Sequence, residues 1–286
     1  MPNWNGGTSK VKTTVGFFVG ILLAGQFCYA SGSVLKIMPL GDSITEGGHE
    51  HRSGFSTTEG SYRTVLVPKL LDLNLEILFV GSKIAGPATL AQRHHEGHSG
   101  WRIDELIAGR VYARSYEKGI ESWLPSYSPN LILLMIGTND IVQNYFLDQA
   151  PLRFAKLLDE IWRLTPCATI FVASVIPTNN SHLNDEVEKY NSALHNYVRT
   201  LKISGHPVVW VDMYNEAKMS WKTGDYSDGV HPSFQGYAKM ANLWFSYIAS
   251  FIKENSAGQT NGCVPYPSVN ILHPFDINNI GKIEDS

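Results

Sequence analysis

Five short apolar runs punctuate the chain, over residues 35–40, 75–80, 131–136, 169–175 and 208–211. Several are apolar without alternation, as in Leu131-Ile132-Leu133-Leu134-Met135-Ile136. Uninterrupted runs of this length fit strands buried on both faces of a sheet. Between them, hydrophobic residues recur at helical spacing. Over 151–164 these are Phe154, Ala155, Leu158, Ile161 and Trp162. Over 184–203 they are Val187, Tyr190, Leu194, Tyr197, Val198 and Leu201. Each set forms one stripe on a helix. Asp185 with Glu188 resembles a helix start, and Ser204-Gly205 a stop. A last helix is expected from Pro232, a favoured first-turn residue, with Tyr237, Met240, Ala241, Trp244, Ile248 and Phe251 as its buried stripe. Strand–helix alternation predicts an α/β fold, a parallel sheet with right-handed crossovers and helices on both faces.

The ends of the chain read differently. Lys10 and Lys12 precede an apolar stretch from Val15 to about Phe27, and Cys28-Tyr29-Ala30 offers a cleavage site. This predicts a signal peptide over 1–30 and a secreted, extracellular product. The apolar stretch, roughly 13 residues, is short of the 20 or so of a membrane span, so no stable membrane insertion is expected after cleavage. Residues 31–254 are expected to form one domain, and 255–286, rich in Asn, Pro, Gly and Ser, an irregular tail. Cys167 and Cys263 would remain after cleavage, and an exported chain permits either a disulfide or two free thiols. A net charge of -3 gives no electrostatic case for nucleic acid.

The first run leads into Gly41-Asp42-Ser43, which sets a serine hydroxyl at the carboxyl edge of the sheet, where open α/β folds carry their sites. A serine needs a base to become a nucleophile. Asp228-Gly229-Val230-His231-Pro232 supplies one: His231 as base, Asp228 to orient its ring. Asn139, in Gly137-Thr138-Asn139-Asp140, and Gly81, closing the second run, are candidate donors to an oxyanion. Singly, each has a plainer reading: a cap for Ser43, a helix entry for His231-Pro232, turns for Gly81 and Asn139. His94, His95 and His98 with Glu96 do not match a zinc spacing and are expected on a loop near the site. Trp101, Tyr145, Phe146, Trp221 and Tyr226 fall near the same edge. Their rings suit sugars, and Trp101, Tyr145 and Tyr226 are taken as substrate-binding candidates.

Together, Gly41-Asp42-Ser43, Gly81, Gly137-Thr138-Asn139-Asp140 and Asp228-x-x-His231 resemble, in order, the four blocks of the SGNH (GDSL-type) hydrolases. The resemblance implies a flavodoxin-like three-layer sandwich with about five parallel strands. It implies Ser43, Asp228 and His231 as triad, and Ser43, Gly81 and Asn139 as oxyanion hole. Neither metal nor organic cofactor is implied. Finer similarity, through Gly60-Ser61-Tyr62-Arg63 and His95-Glu96-Gly97-His98-Ser99-Gly100-Trp101, is to carbohydrate esterase family three, known for acetyl xylan esterase activity. The expected enzyme is a monomeric esterase acting on O-acetyl polysaccharide. A lysophospholipase or lipase of the same fold and a non-catalytic carbohydrate-binding protein are the rivals.

Overall fold

The structure is a computed structural model that describes residues 34–51, 54–56, 60–112 and 115–256, together with Met1. The expected leader and most of the expected tail, with Cys28 and Cys263, lie outside those residues. Cys167 is disulfide-bonded.

Seven strands form the main sheet: β1 (Leu35–Gly41), β2 (Ile77–Phe79), β3 (Lys83–Ile84), β4 (His94–Gly97), β5 (Leu131–Met135), β6 (Thr169–Ala173) and β7 (Val208–Val211). Their order is β7-β6-β5-β1-β4-β3, with β2 also paired to β1. All pairings are parallel except β3 with β4. The five runs read as strands are β1, β2, β5, β6 and β7. The sequence pattern missed β3 and β4. β4 is His-His-Glu-Gly, yet His95 and Glu96 are fully buried. A strand buried through polar partners leaves no apolar run to read. His94, His95 and Glu96 therefore stand on a strand, not on the loop expected for them, while His98 lies in the turn that follows it.

The seven principal helices are α1 (Ser43–Glu46), α2 (Arg63–Leu71), α3 (Ile103–Ala108), α4 (Thr138–Val142), α5 (Ala150–Leu164), α6 (Ser181–Ile203) and α7 (Phe234–Ser256). Side chains alternate across a strand. Ile37, Leu133, Met135 and Phe171 face one way, against Leu66 and Leu70 of α2 and Met240 and Trp244 of α7. Met38, Leu40, Ile132, Leu134 and Val172 face the other, against Leu106 of α3, Phe154 and Leu158 of α5 and Leu194 of α6. This is a three-layer sandwich.

Two helix starts differ from the pattern. α6 begins before Asp185, because the Asn180 side chain accepts the His182 N–H and caps it. α7 begins at Phe234, because Pro232 is bridged to Tyr226 and Ser233 Oγ accepts the Gly236 N–H.

Candidate active site

β1 ends at Gly41, and Asp42 caps α1 through Oδ1, which accepts the Ile44 N–H at 2.9 Å. That cap turns Ser43 into the first turn of α1, above the sheet edge. The other end of α1 is held from residues 61–63. Ser61 Oγ donates to Ile44 O at 2.9 Å, and the buried Arg63 donates to Thr45 O and, at 3.1 Å, to Glu46 O. These bonds satisfy carbonyls that a helix end leaves without partners. Burial lowers the Arg63 pKa to about 10.

His231 arrives on the loop before α7. The backbone bridge between Tyr226 and Pro232 and the Ser227 N–H to His231 O bond (2.9 Å) close this loop into a tight arch. Inside it, Asp228 Oδ1 accepts the N–H groups of Val230 and His231, both at 2.8 Å. Asp228 Oδ2 lies 2.8 Å from His231 Nδ1, and His231 Nε2 lies 2.8 Å from Ser43 Oγ. Burial would raise the Asp228 pKa. The two backbone donors and the imidazole outweigh it and hold the carboxyl below its usual range. An ionised Asp228 assigns the Nδ1 proton to the aspartate side and leaves Nε2 to accept from the serine hydroxyl. Asp42 is the opposite case: burial drives its pKa up to about 6, against the Ile44 N–H and the nearby His231.

Among the described residues, no hydrogen bond joins Gly81 to this constellation. β2 borders only the first half of β1, pairing Leu35 with Ile77 and Ile37 with Phe79. Gly81 is thus in register with the middle of β1. β4 borders the second half, pairing Gly41 with Gly97. The Gly81 backbone abuts His95, where an added Cβ would lie 2.3 Å from the carbonyl oxygen. What lies beside α1 is the chain that follows β4. His98 N–H donates to Gly41 O at 2.9 Å, and Ser99 N–H donates to Glu46 Oε2 at 3.1 Å. Trp101 N–H returns to His98 O at 3.1 Å, closing a four-residue turn. Its third residue, Gly100, has φ +76, a conformation glycine enters without strain. The Gly100 N–H has no hydrogen-bond partner among the described residues. Ser99-Gly100 beside a strand end was the signal available in the sequence, but without β4 nothing tied it to the edge. Asn139, at the start of α4, reaches this turn: its Nδ2 donates to Trp101 O at 3.0 Å. One amide hydrogen is thereby used to orient the group, and one remains.

A serine, an imidazole and a carboxylate in line at the carboxyl edge of a parallel sheet is an arrangement that comparison with known proteins can test. The family model described as GDSL-like Lipase/Acylhydrolase matches residues 37–244. The chain belongs to that family. Among solved structures, this GDSL-family chain resembles a family 3 carbohydrate esterase from Clostridium thermocellum (33% identity, TM-score 0.63, 78% of this chain and 100% of that one). It also resembles a carbohydrate esterase family 3 protein from Talaromyces cellulolyticus (25% identity, TM-score 0.61, 77% and 99%). A multidomain esterase from Ruminococcus flavefaciens is 30% identical over 249 residues, 80% of this chain. A further relative, from Acetivibrio thermocellus, is 32% identical over 141 residues, 49% of this chain. The chain spans only 30% and 59% of the lengths of these two curated relatives.

The aromatic candidates of this GDSL-family chain divide sharply. Trp101 is only 2% exposed and stacks on His98 at 4.1 Å, so it offers no open face to a sugar. Tyr226 stacks on Trp221 at 3.7 Å and carries the bridge to Pro232, which shapes the His231 arch. Tyr145 is clasped between Arg102 (4.0 Å) and Arg153 (5.0 Å). Arg153 pairs at 2.7 Å with the buried Asp140, the neighbour of Asn139. Phe146, edge-on to Tyr145 at 5.0 Å, is 60% exposed and is the open ring of this group. Among the described residues, no group of three or more His, Cys, Asp or Glu is arranged to hold a metal. No helix there is long and apolar enough to cross a membrane.

Proposed function

We propose that the chain is a serine esterase that removes O-acetyl groups from polysaccharide, acetylated xylan foremost, after export through the leader expected over 1–30. The observation that carries the chemistry is the unbroken line from Ser43 Oγ through His231 to Asp228, both contacts 2.8 Å. A hydroxyl bonded to an imidazole oriented by a carboxylate is an activated nucleophile. Ser43 Oγ attacks the acetyl carbonyl as His231 Nε2 takes its proton. The oxyanion is received by the Ser43 N–H, the Gly100 N–H and the remaining Asn139 amide hydrogen. His231 then protonates the departing sugar alkoxide. Water, deprotonated by the same ring, opens the acetyl-enzyme and releases acetate.

The polysaccharide part of the reading is supported by the two family 3 carbohydrate esterases of similar structure. The test is acetate release from acetylated xylan, pectin, chitin and O-acetyl peptidoglycan, beside acetate and decanoate esters of one chromogenic alcohol. Xylan and the acetate ester are expected to react fastest. Faster decanoate turnover would replace this reading with a lipase. Failure of a fluorophosphonate probe to label Ser43 in folded protein would leave a carbohydrate-binding protein.

A further inference from the structure

The turn from His98 to Trp101 is tied down along its whole length. Glu46 of α1 holds Ser99 through its N–H and hydroxyl. Gly100 O accepts from Arg110 Nη1 at 3.0 Å and from Gln143 Nε2 at 3.3 Å. Trp101 O accepts from Asn139. The tightest anchor is the His98 ring. It is 2% exposed, with Nε2 at 2.9 Å from Glu96 Oε2 and Nδ1 at 3.0 Å from Glu117 Oε1. A neutral imidazole carries one N–H, and two carboxylates need two. His98 is therefore an imidazolium in this geometry. The buried Glu96 is fixed in turn by the N–H and hydroxyl of Ser82. Trp101 and Trp123 flank the ring at 4.1 and 6.0 Å, a favourable place for a cation.

We propose that His98 is a positioning residue for the oxyanion-binding turn. Its charged ring bridges Glu96 on β4 to Glu117 on the Arg110–Tyr112/Ser115–Glu117 hairpin, and so sets Gly100 N–H and, through Trp101 O, the Asn139 amide against Ser43. The proposal rests on the esterase reading above. Loss of one proton breaks one of the two ring bonds and slackens the turn, so the catalytic rate depends on His98 charge. The other charged or titratable neighbours are Lys83, which reaches Glu46 (3.7 Å) and Glu117 (3.5 Å), His95, kept neutral by burial, and Lys118 and Tyr127 across the adjoining cavity. Burial works against charge on His98, but the Glu117 and Glu96 bonds prevail and its pKa is raised. Glu117 is lowered to about 2, chiefly by its bond to His98. A cavity of about 400 Å³ lined by Ser82, His98, Glu117 and Trp123 adjoins the pair.

Glu117→Ala tests this, because Glu117 is half exposed on a hairpin. Two readouts are needed across roughly pH 6–10: kcat and KM on a chromogenic acetate ester, and the imidazole NMR titration of His98. Removing Glu117 lowers the His98 pKa. The expected result is a roughly 10-fold lower kcat near pH 8 with KM little changed, and an alkaline limb of kcat that moves to lower pH together with the His98 titration. A limb that coincides in the two proteins, or a His98 titration that shifts while kcat does not follow, would overturn the proposal. Ser43→Ala separates the two readings. Full activity in that variant defeats the esterase assignment, whereas a dead Ser43→Ala beside a wild-type pH profile in Glu117→Ala defeats only the role of His98.

Discussion

The two walls of the Ser43 site are built in opposite ways. The arch over 226–232 presents His231 and Asp228 from one short stretch, closed by bonds between near neighbours in the chain. The wall formed by the His98–Trp101 turn is assembled from α1, β4, the 110–117 hairpin and α4. The first is a local device that any chain carrying Asp-x-x-His-Pro at a helix entry could form. The second exists only once the sheet has closed. On the proposed function, proton transfer rests on a motif, and charge stabilisation rests on a fold.

The largest effect should come from the local wall and the nucleophile. Ser43→Ala and His231→Ala are each expected to lower kcat by roughly 10⁴–10⁶ with KM little changed. Measurement on a soluble acetate ester checks this, and unequal losses would show that the two do not act as a unit. Asp228→Asn should cost less than His231→Ala, roughly 10³–10⁴, because the backbone still presents the ring. Equal losses would refute that ordering.

The assembled wall should give intermediate effects. Asn139→Ala is expected to lower kcat by roughly 10²–10³ with unchanged unfolding temperature. The sharpest test compares two glycines. Gly100→Ala (φ +76) strains the turn that presents a donor and should lower kcat. Gly81→Ala drives a Cβ into the His95 backbone and should lower the unfolding temperature while the surviving folded enzyme keeps its kcat. The reverse result would return Gly81 to the site.

The smallest effect concerns stability. The Asp42 pKa is about 6 in the fold and 3.8 ordinarily, so the folded protein favours the protonated form. This contribution is fully present below about pH 4 and is lost as pH rises through about 6, up to about 3 kcal/mol. Asp42→Asn retains a capping oxygen without the charge. Its unfolding temperature should rise relative to wild type across that window, and a gap independent of pH would exclude Asp42 as the cause.

Legibility in the sequence follows the same division. β1, β5 and β6 announce themselves because their burial is apolar and continuous. α5 and the stripe of α7 do so because their buried faces repeat at helical spacing. Ser43, Asp228 and His231 were readable because each follows or enters an element whose boundary is written locally. Trp101 misled because an aromatic near an edge has the same local signature whether its ring meets solvent or, as here, the buried His98 ring. β4 was unreadable because His95 and Glu96 are buried by partners far away in the chain.

By itself, the order of residues determined the layers of the sandwich, the place of Ser43 at a strand end and the pairing of Asp228 with His231, since these depend on period and on contacts a few positions apart. Only the tertiary structure decided that the chain following β4, rather than Gly81, lies beside α1. That depends on the register of three strands against β1, with β2 covering its first half and β4 its second, and register is a property of pairing between distant segments that no local pattern encodes.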